Sequence, residues 1–168
     1  MHIRRRHLPH IEVPGGTYSI AFALKDRRIC DLSRPDIAPI IVGALHSFHG
    51  NKYILYDYTV MPDHVHVILK PLDRDGKYLT LGQILHSIKG WTANEINAIL
   101  GRKGHLWQPD RHDRLILNVP HYRAQAQYIW NNPVAAGLVA DPADWPWTGC
   151  GPDLPVSPPP ADEKHADQ

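Results

Sequence analysis

The sequence predicts an α+β domain in which helices pack on one face of an antiparallel sheet. Three observations predict it. Runs of β-branched and aromatic residues alternate with stretches of helical periodicity, in the order strand, helix, strand, strand, helix, strand, helix. The second and third strands are separated only by Met61-Pro62-Asp63, a link short enough to demand a hairpin. And 43% of the 168 residues are apolar against 21% charged, the balance of one globular domain with a real core.

Each element follows in order. Residues 1–16 are basic and His-rich, end in Pro14-Gly15-Gly16, and read as a flexible arm closed by a turn. Residues 17–25 (TYSIAFALK) read as the first strand. Ser33-Arg34-Pro35-Asp36 opens a helix, with Ser33 or Asp36 as its cap, and Ile37, Ile40, Ile41, Ala44, Leu45 and Phe48 carry its apolar stripe to a stop at Gly50. Residues 51–60 (NKYILYDYTV) and 64–70 (HVHVILK) form the hairpin, and 71–77 a polar loop. A long amphipathic helix spans 79–100 and closes at Gly101, with Gly82 and Gly90 as weak points in its continuity. A short strand lies around 112–116, and a third helix runs from Pro120 to Trp130 and ends near Asn132-Pro133. The folded domain is thus expected over 17–150. Residues 151–168 hold five prolines and several acids and read as a disordered tail.

The charge is unevenly placed. Residues 1–140 carry 17 Lys+Arg against 11 Asp+Glu, a balance of +6; the last 28 residues carry one Lys against six acids, a balance of −5, which together give the net +1. A moderately basic body suits phosphate, but equally an ordinary solvated surface. No apolar run approaches the roughly 18–20 residues that span a membrane, and the N-terminus has no secretory apolar region, so a cytoplasmic location is expected. Cys30 and Cys150 sit in no CxxC motif and read as plain thiols.

Two features carry chemistry. In the strand MPDHVHVIL, His64 and His66 share a face while Val65 and Val67 point to the other. Two neighbouring imidazoles make half of a metal site; alone, the pair fits two exposed histidines on an open sheet face just as well. In YIWNNPV, Tyr128 and Asn132 stand one helical turn apart. An amide oxygen ligates hard cations, and a tyrosine beside a metal-bound phosphate is a nucleophile. The alternative is a buried tyrosine at a helix end capped by Asn132. Asp63 reads first as a turn residue and second as an acceptor orienting a ligand histidine, and Asp113 is a similar candidate. Arg4, Arg5 and Arg6 form an arm able to reach phosphate, Lys89 on the long helix is a candidate for the DNA backbone, and Trp91, Trp107, Trp145 and Trp147 are expected in the core.

Several blocks in a fixed order resemble one family. They are VMPDHVHVIL at 60–69, HSIKGWTANEIN at 86–97, GHLWQPDRHDRLI at 104–116, YIWNNPVAAGLV at 128–139 and DWPWTG at 144–149. Over residues 14–148 the chain resembles the single-tyrosine HUH transposases, above all the REP-associated tyrosine transposases. The resemblance implies a ferredoxin-like sheet with the histidine strand near its centre. It implies His64, His66 and Asn132 as ligands of Mg²⁺ or Mn²⁺, and Tyr128 as the nucleophile. It implies single-stranded DNA with a hairpin as the partner, bound by a monomer or a homodimer. Two stretches depart from the family: TYSIAFAL lacks the histidine that often follows the tyrosine, and LNVPHY replaces a charged run. The acidic tail matches no family element and is expected to shield the basic surface from non-specific DNA.

The implied chemistry is attack by Tyr128 on a metal-bound phosphate, giving a 5′-phosphotyrosine and a free 3′-hydroxyl. A free phenol titrates near 10, so the site must help it ionise. Three other functions share parts of this pattern. A domesticated hairpin-binding protein keeps the fold without needing the tyrosine. A replication initiator or relaxase of the same class usually adds a domain for which 168 residues leave no space. A metallohydrolase using His64, His66 and a carboxylate leaves no covalent adduct.

Overall fold

A computed structural model describes residues 12–154. The elements are β1 (Thr17–Ala23), α1 (Ala38–Ser47), β2 (Tyr53–Val60), β3 (His64–Pro71), β4 (Asp73–Arg74), β5 (Lys77–Tyr78), α2 (Leu81–Leu100), β6 (His112–Ile116), α3 (Val119–Ala135), a 3₁₀ turn (Pro142–Asp144) and β7 (Thr148–Cys150). Five strands form one sheet in the order β6-β1-β3-β2-β7, every neighbouring pair antiparallel. The inner order β6-β1-β3-β2 is ferredoxin-like, as expected, with β7 added at the β2 edge.

Alternation along the strands sets the two faces of the sheet. Tyr18, Ile20 and Phe22 of β1 and Val65, Val67 and Leu69 of β3 are buried in one cluster with Leu81, Ile84, Leu85, Ile88 and Ile96 of α2 and Ile41 and Leu45 of α1. Each such side chain contributes about 1.5–3 kcal/mol on burial. A smaller cluster on the opposite face joins Ile68 of β3 to Ala126 and Ile129 of α3. The α+β class and the sheet stand as expected; the helices, however, do not all lie on one face. α3 covers the other, because Ile68 alternates with Val67 and Leu69 and needs an apolar cover of its own.

The strand β2 changes face midway. Its pairing with β3 runs Leu55 to Leu69 and resumes Tyr58 to Val67, so Tyr56 and Asp57 together oppose Ile68. This two-against-one bulge keeps Leu55 and Tyr58 both in the large core and turns the residues between them toward α3.

Several elements differ from the sequence expectation. α1 begins at Ala38 with Ile37 at its cap position and no side-chain cap; Asp36 is engaged by Arg34 at 2.6 Å instead. α2 runs unbroken through Gly82 and Gly90, started by a capping box between Thr80 and Gln83. The loop after β3 folds into the small β4–β5 hairpin, whose Asp75 and Gly76 both take positive φ, 55° and 77°, the requirement of a two-residue type I′ turn. α3 continues past Pro133 to Ala135. Trp107 is buried as expected, but Trp91 is 47% exposed. It shares a face of α2 with the exposed Asn94 and Glu95, one step from the buried Thr92.

β7 was not foreseen. It pairs with Asp57–Thr59 of β2, and the Gly151 N–H then donates to the Tyr56 carbonyl at 2.8 Å. A Cβ at Gly151 would overlap the Leu55 carbonyl oxygen. Gly151→Ala is therefore expected to destabilise the protein by about 1–3 kcal/mol in urea denaturation. A midpoint equal to that of the wild type would contradict this packing.

Candidate functional site

The site is built where β3 and α3 face each other. β3 is the middle strand of the sheet, and Val65 and Val67 lock its other face into the core. His64 and His66 therefore project together toward α3. Their cross-strand partners on β1 are Ala23 and Ala21, small residues that leave space for the imidazoles. The two Nε2 atoms are 3.1 Å apart and the rings meet edge to face at 4.8 Å. Asp63 Oδ1 lies 2.6 Å from His64 Nδ1, so a proton held there leaves His64 Nε2 as a lone pair aimed at the gap beside His66. Asp63 thus serves both as turn residue and as orienting acceptor.

α3 supplies the other half. Asn118 caps it by accepting from the His121 N–H at 2.8 Å. Tyr128 is 57% exposed, and its ring stands edge-on to His66 with centroids 5.5 Å apart. The Asn132 amide lies 3.4 Å from His66 Nε2, across 66 positions of sequence. A half-turn of that amide exchanges its nitrogen for its oxygen. The alternatives of a buried tyrosine and an Asn132 cap do not hold: Tyr128 is open to solvent, and the helix ends at Ala136.

Two clefts flank the cluster. One, of about 650 Å³, is lined by Tyr128, His66, Gln125, Ser19, His112 and Arg114 among others. The second, of about 420 Å³, reaches His64, Asn132 and Asp63 from the other side. Gln125 and Arg114 were not singled out in the sequence, and nothing in their local pattern marks them.

The remaining candidates lie elsewhere. Lys89 sits on α2, behind the sheet, where its ammonium donates to the carbonyls of Gln108 at 2.9 Å and Asp110 at 3.4 Å. It fastens the loop after α2 to the helix and lines a separate groove with Arg102, Lys103 and Arg111. Asp113 is bound by Arg111 at 2.9 Å and borders the larger cleft. Arg4, Arg5 and Arg6 fall outside the described residues, as does most of the acidic tail.

Asp57 was missed. It is 5% exposed and accepts from Trp130 Nε1 at 2.8 Å through one oxygen and from the Tyr122 hydroxyl through the other. Burial, and after it the Asp57 hydrogen bond, pushes the Tyr122 phenol well above its usual range. The signal was a lone acid inside the apolar run YILYDYTV.

The residues present are compatible with a divalent ion, the amide oxygen suiting Mg²⁺ or Mn²⁺ and the imidazoles by themselves leaning toward softer ions. Among the described residues no group of three His, Cys, Asp or Glu gathers; the donors are two imidazoles and an amide. The two Nε2 atoms, 3.1 Å apart, are close enough to share one ion or one N–H···N hydrogen bond.

No family model matches the chain. Over 136 residues it is 24% identical to the REP-associated tyrosine transposase of Escherichia coli (strain K12), covering 81% of this chain and 77% of that protein. Its fold matches a solved REP-associated tyrosine transposase bound to a REP hairpin, with a TM-score of 0.65 and 24% identity over 88% of this chain and 82% of that one. The resemblance carried by the sequence blocks is thus matched by a named relative and by a shared fold.

His66 gives the site a pH signature. Burial first, and then the neighbouring His64, pull its imidazole down from 6.5 to about 4. The native state therefore favours neutral His66. Its contribution to stability is complete above pH 6.5 and is lost as pH falls toward 4. In the metal-free protein, NMR titration of the His66 ring is expected to show a midpoint near 4; a midpoint near 6.5 would contradict the described burial.

Proposed function

We propose that the chain is a single-tyrosine DNA strand transferase of the REP-associated tyrosine transposase type, acting on single-stranded DNA beside a hairpin. The observation that supports this is the meeting of Tyr128 and Asn132 with His66, a solvent-open phenol beside an imidazole pair and an amide. The likeness to a fold solved with a REP hairpin supports hairpin DNA as the substrate class. Among the described residues no helix is long and apolar enough to cross a membrane.

His64, His66 and Asn132 would hold a divalent ion, Mg²⁺ or Mn²⁺, which when bound would supply charge stabilisation at the scissile phosphate. The chain's own residues do the rest. Asp63 fixes the His64 ring, and burial keeps His66 neutral with its lone pair available. The Tyr128 hydroxyl, open to the larger cleft, attacks phosphorus in line. A tyrosyl O–P bond forms, the bond from phosphorus to the 3′-oxygen breaks, and the phenolic proton ends on the released 3′-hydroxyl. The 5′ end stays joined to Tyr128, so a second 3′-hydroxyl reverses the step and joins strands. Arg114 and Gln125, which line the same cleft as Tyr128, are the candidates to contact the strand leading to the phosphate.

The test uses labelled single-stranded hairpin oligonucleotides with Mn²⁺. The expected result is a denaturation-resistant protein–DNA adduct that EDTA abolishes and that falls by at least about 10³-fold in Tyr128→Phe. Hairpin binding without adduct would make the chain a DNA-binding protein that has left catalysis behind. Cleavage without adduct would make it a hydrolase using water.

A further inference from the structure

Among the described residues Asp57 is the one buried acid, and regular alternation along β2 does not explain it. In a regular strand its neighbours Leu55 and Tyr58 would face opposite sides. The bulge at Tyr56-Asp57 lets both enter the same core and leaves Asp57 directed at α3. There each oxygen of its carboxyl group accepts one donor, Tyr122 and Trp130, eight residues apart on the helix. Tyr128 and Asn132 lie on the same helix, turned toward His66. The apolar cover beneath α3 is Ala126 and Ile129 on Ile68, with Tyr56, Ile116 and Tyr122 at its margin; Trp130 and Pro133 of the helix are buried as well. Apolar contacts are non-directional. They hold a helix against a sheet but fix its rotation and slide less sharply than paired hydrogen bonds do.

We propose that Asp57 is a positioning residue, whose two-point grip on Tyr122 and Trp130 sets the rotation of α3 that brings Tyr128 and Asn132 against the histidine pair. Only a carboxyl group offers two acceptor oxygens to two donors on one helix face. An amide keeps the shape and offers one. The inference rests on the strand-transfer reading for its functional meaning, but its structural content stands apart from that reading.

The experiment compares Asp57→Asn and Trp130→Phe with the wild type by amide hydrogen exchange, and by adduct formation at saturating Mn²⁺ with hairpin binding measured in EDTA. The second variant keeps the carboxyl and removes one donor, so the question stays open to test if the first fails to fold. The expected result is loss of protection confined to α3 with α1 and α2 unchanged. Adduct formation is expected to slow by about 10- to 100-fold while hairpin affinity holds. Protection of α3 equal to the wild type in both variants overturns the inference. So does protection lost equally in α1 and α2, which marks a general structural role, or an unchanged rate despite a loosened α3. Should the wild type form no adduct, the strand-transfer reading fails by itself. The exchange pattern then decides whether Asp57 grips α3.

Discussion

A buried carboxyl group is costly unless both of its oxygens are satisfied, because the protein interior solvates it far less than water does. Asp57 meets that requirement by accepting from Tyr122 and Trp130, and both donors belong to the helix that carries the functional side chains. The constraint runs from packing to chemistry. The bulge in β2 aims the acid, the acid holds the helix, and the helix sets where Tyr128 and Asn132 stand relative to β3. Charge-assisted hydrogen bonds of this kind are stronger than neutral ones and far more directional than apolar contact.

The other half of the site depends on a simpler constraint. A central strand flanked by two others has little freedom to rotate, and β3 is further pinned by Val65, Val67 and Leu69. The histidines inherit that rigidity. Small residues opposite them leave space for both rings, and Asp63 orients the His64 ring through its Nδ1. A site assembled from a rigid strand and a helix held at two points is preorganised, so little ordering is left to be done when substrate arrives.

Much of the fold was legible. The first strand and the long helix show their period directly, because one face of each is more deeply buried than the other, and the hairpin is marked by the short Met61-Pro62-Asp63 link. What was not legible arises from contacts between distant residues. The pattern of α3 shows that it is a helix but not which face of the sheet it covers; that depends on Ile68 needing a partner. Helix continuation through Pro133 broke a local rule, and Pro133 is among the buried residues of α3. β7 is three residues long, too short to show alternation. The position of Trp91 reverses the expectation from its bulk alone. For the site, the histidine pair and the Tyr128–Asn132 spacing could be read as chemistry from periodicity. Their convergence came only from the resemblance, since nothing in either motif names the other. Asp57 carried a signal, an acid in an apolar strand, but its partners lie 65 and 73 positions away.

His64, His66 and Asn132 are proposed to form one divalent-metal site. Calorimetric titration of the purified protein with Mn²⁺, at a pH where His66 is neutral, tests it most directly. The expected result is a single site, abolished in His66→Ala and weakened about 10- to 100-fold in Asn132→Ala, in line with the loss of one ligand from a small donor set. Wild-type affinity retained in both variants, or no binding to the wild type, would contradict it.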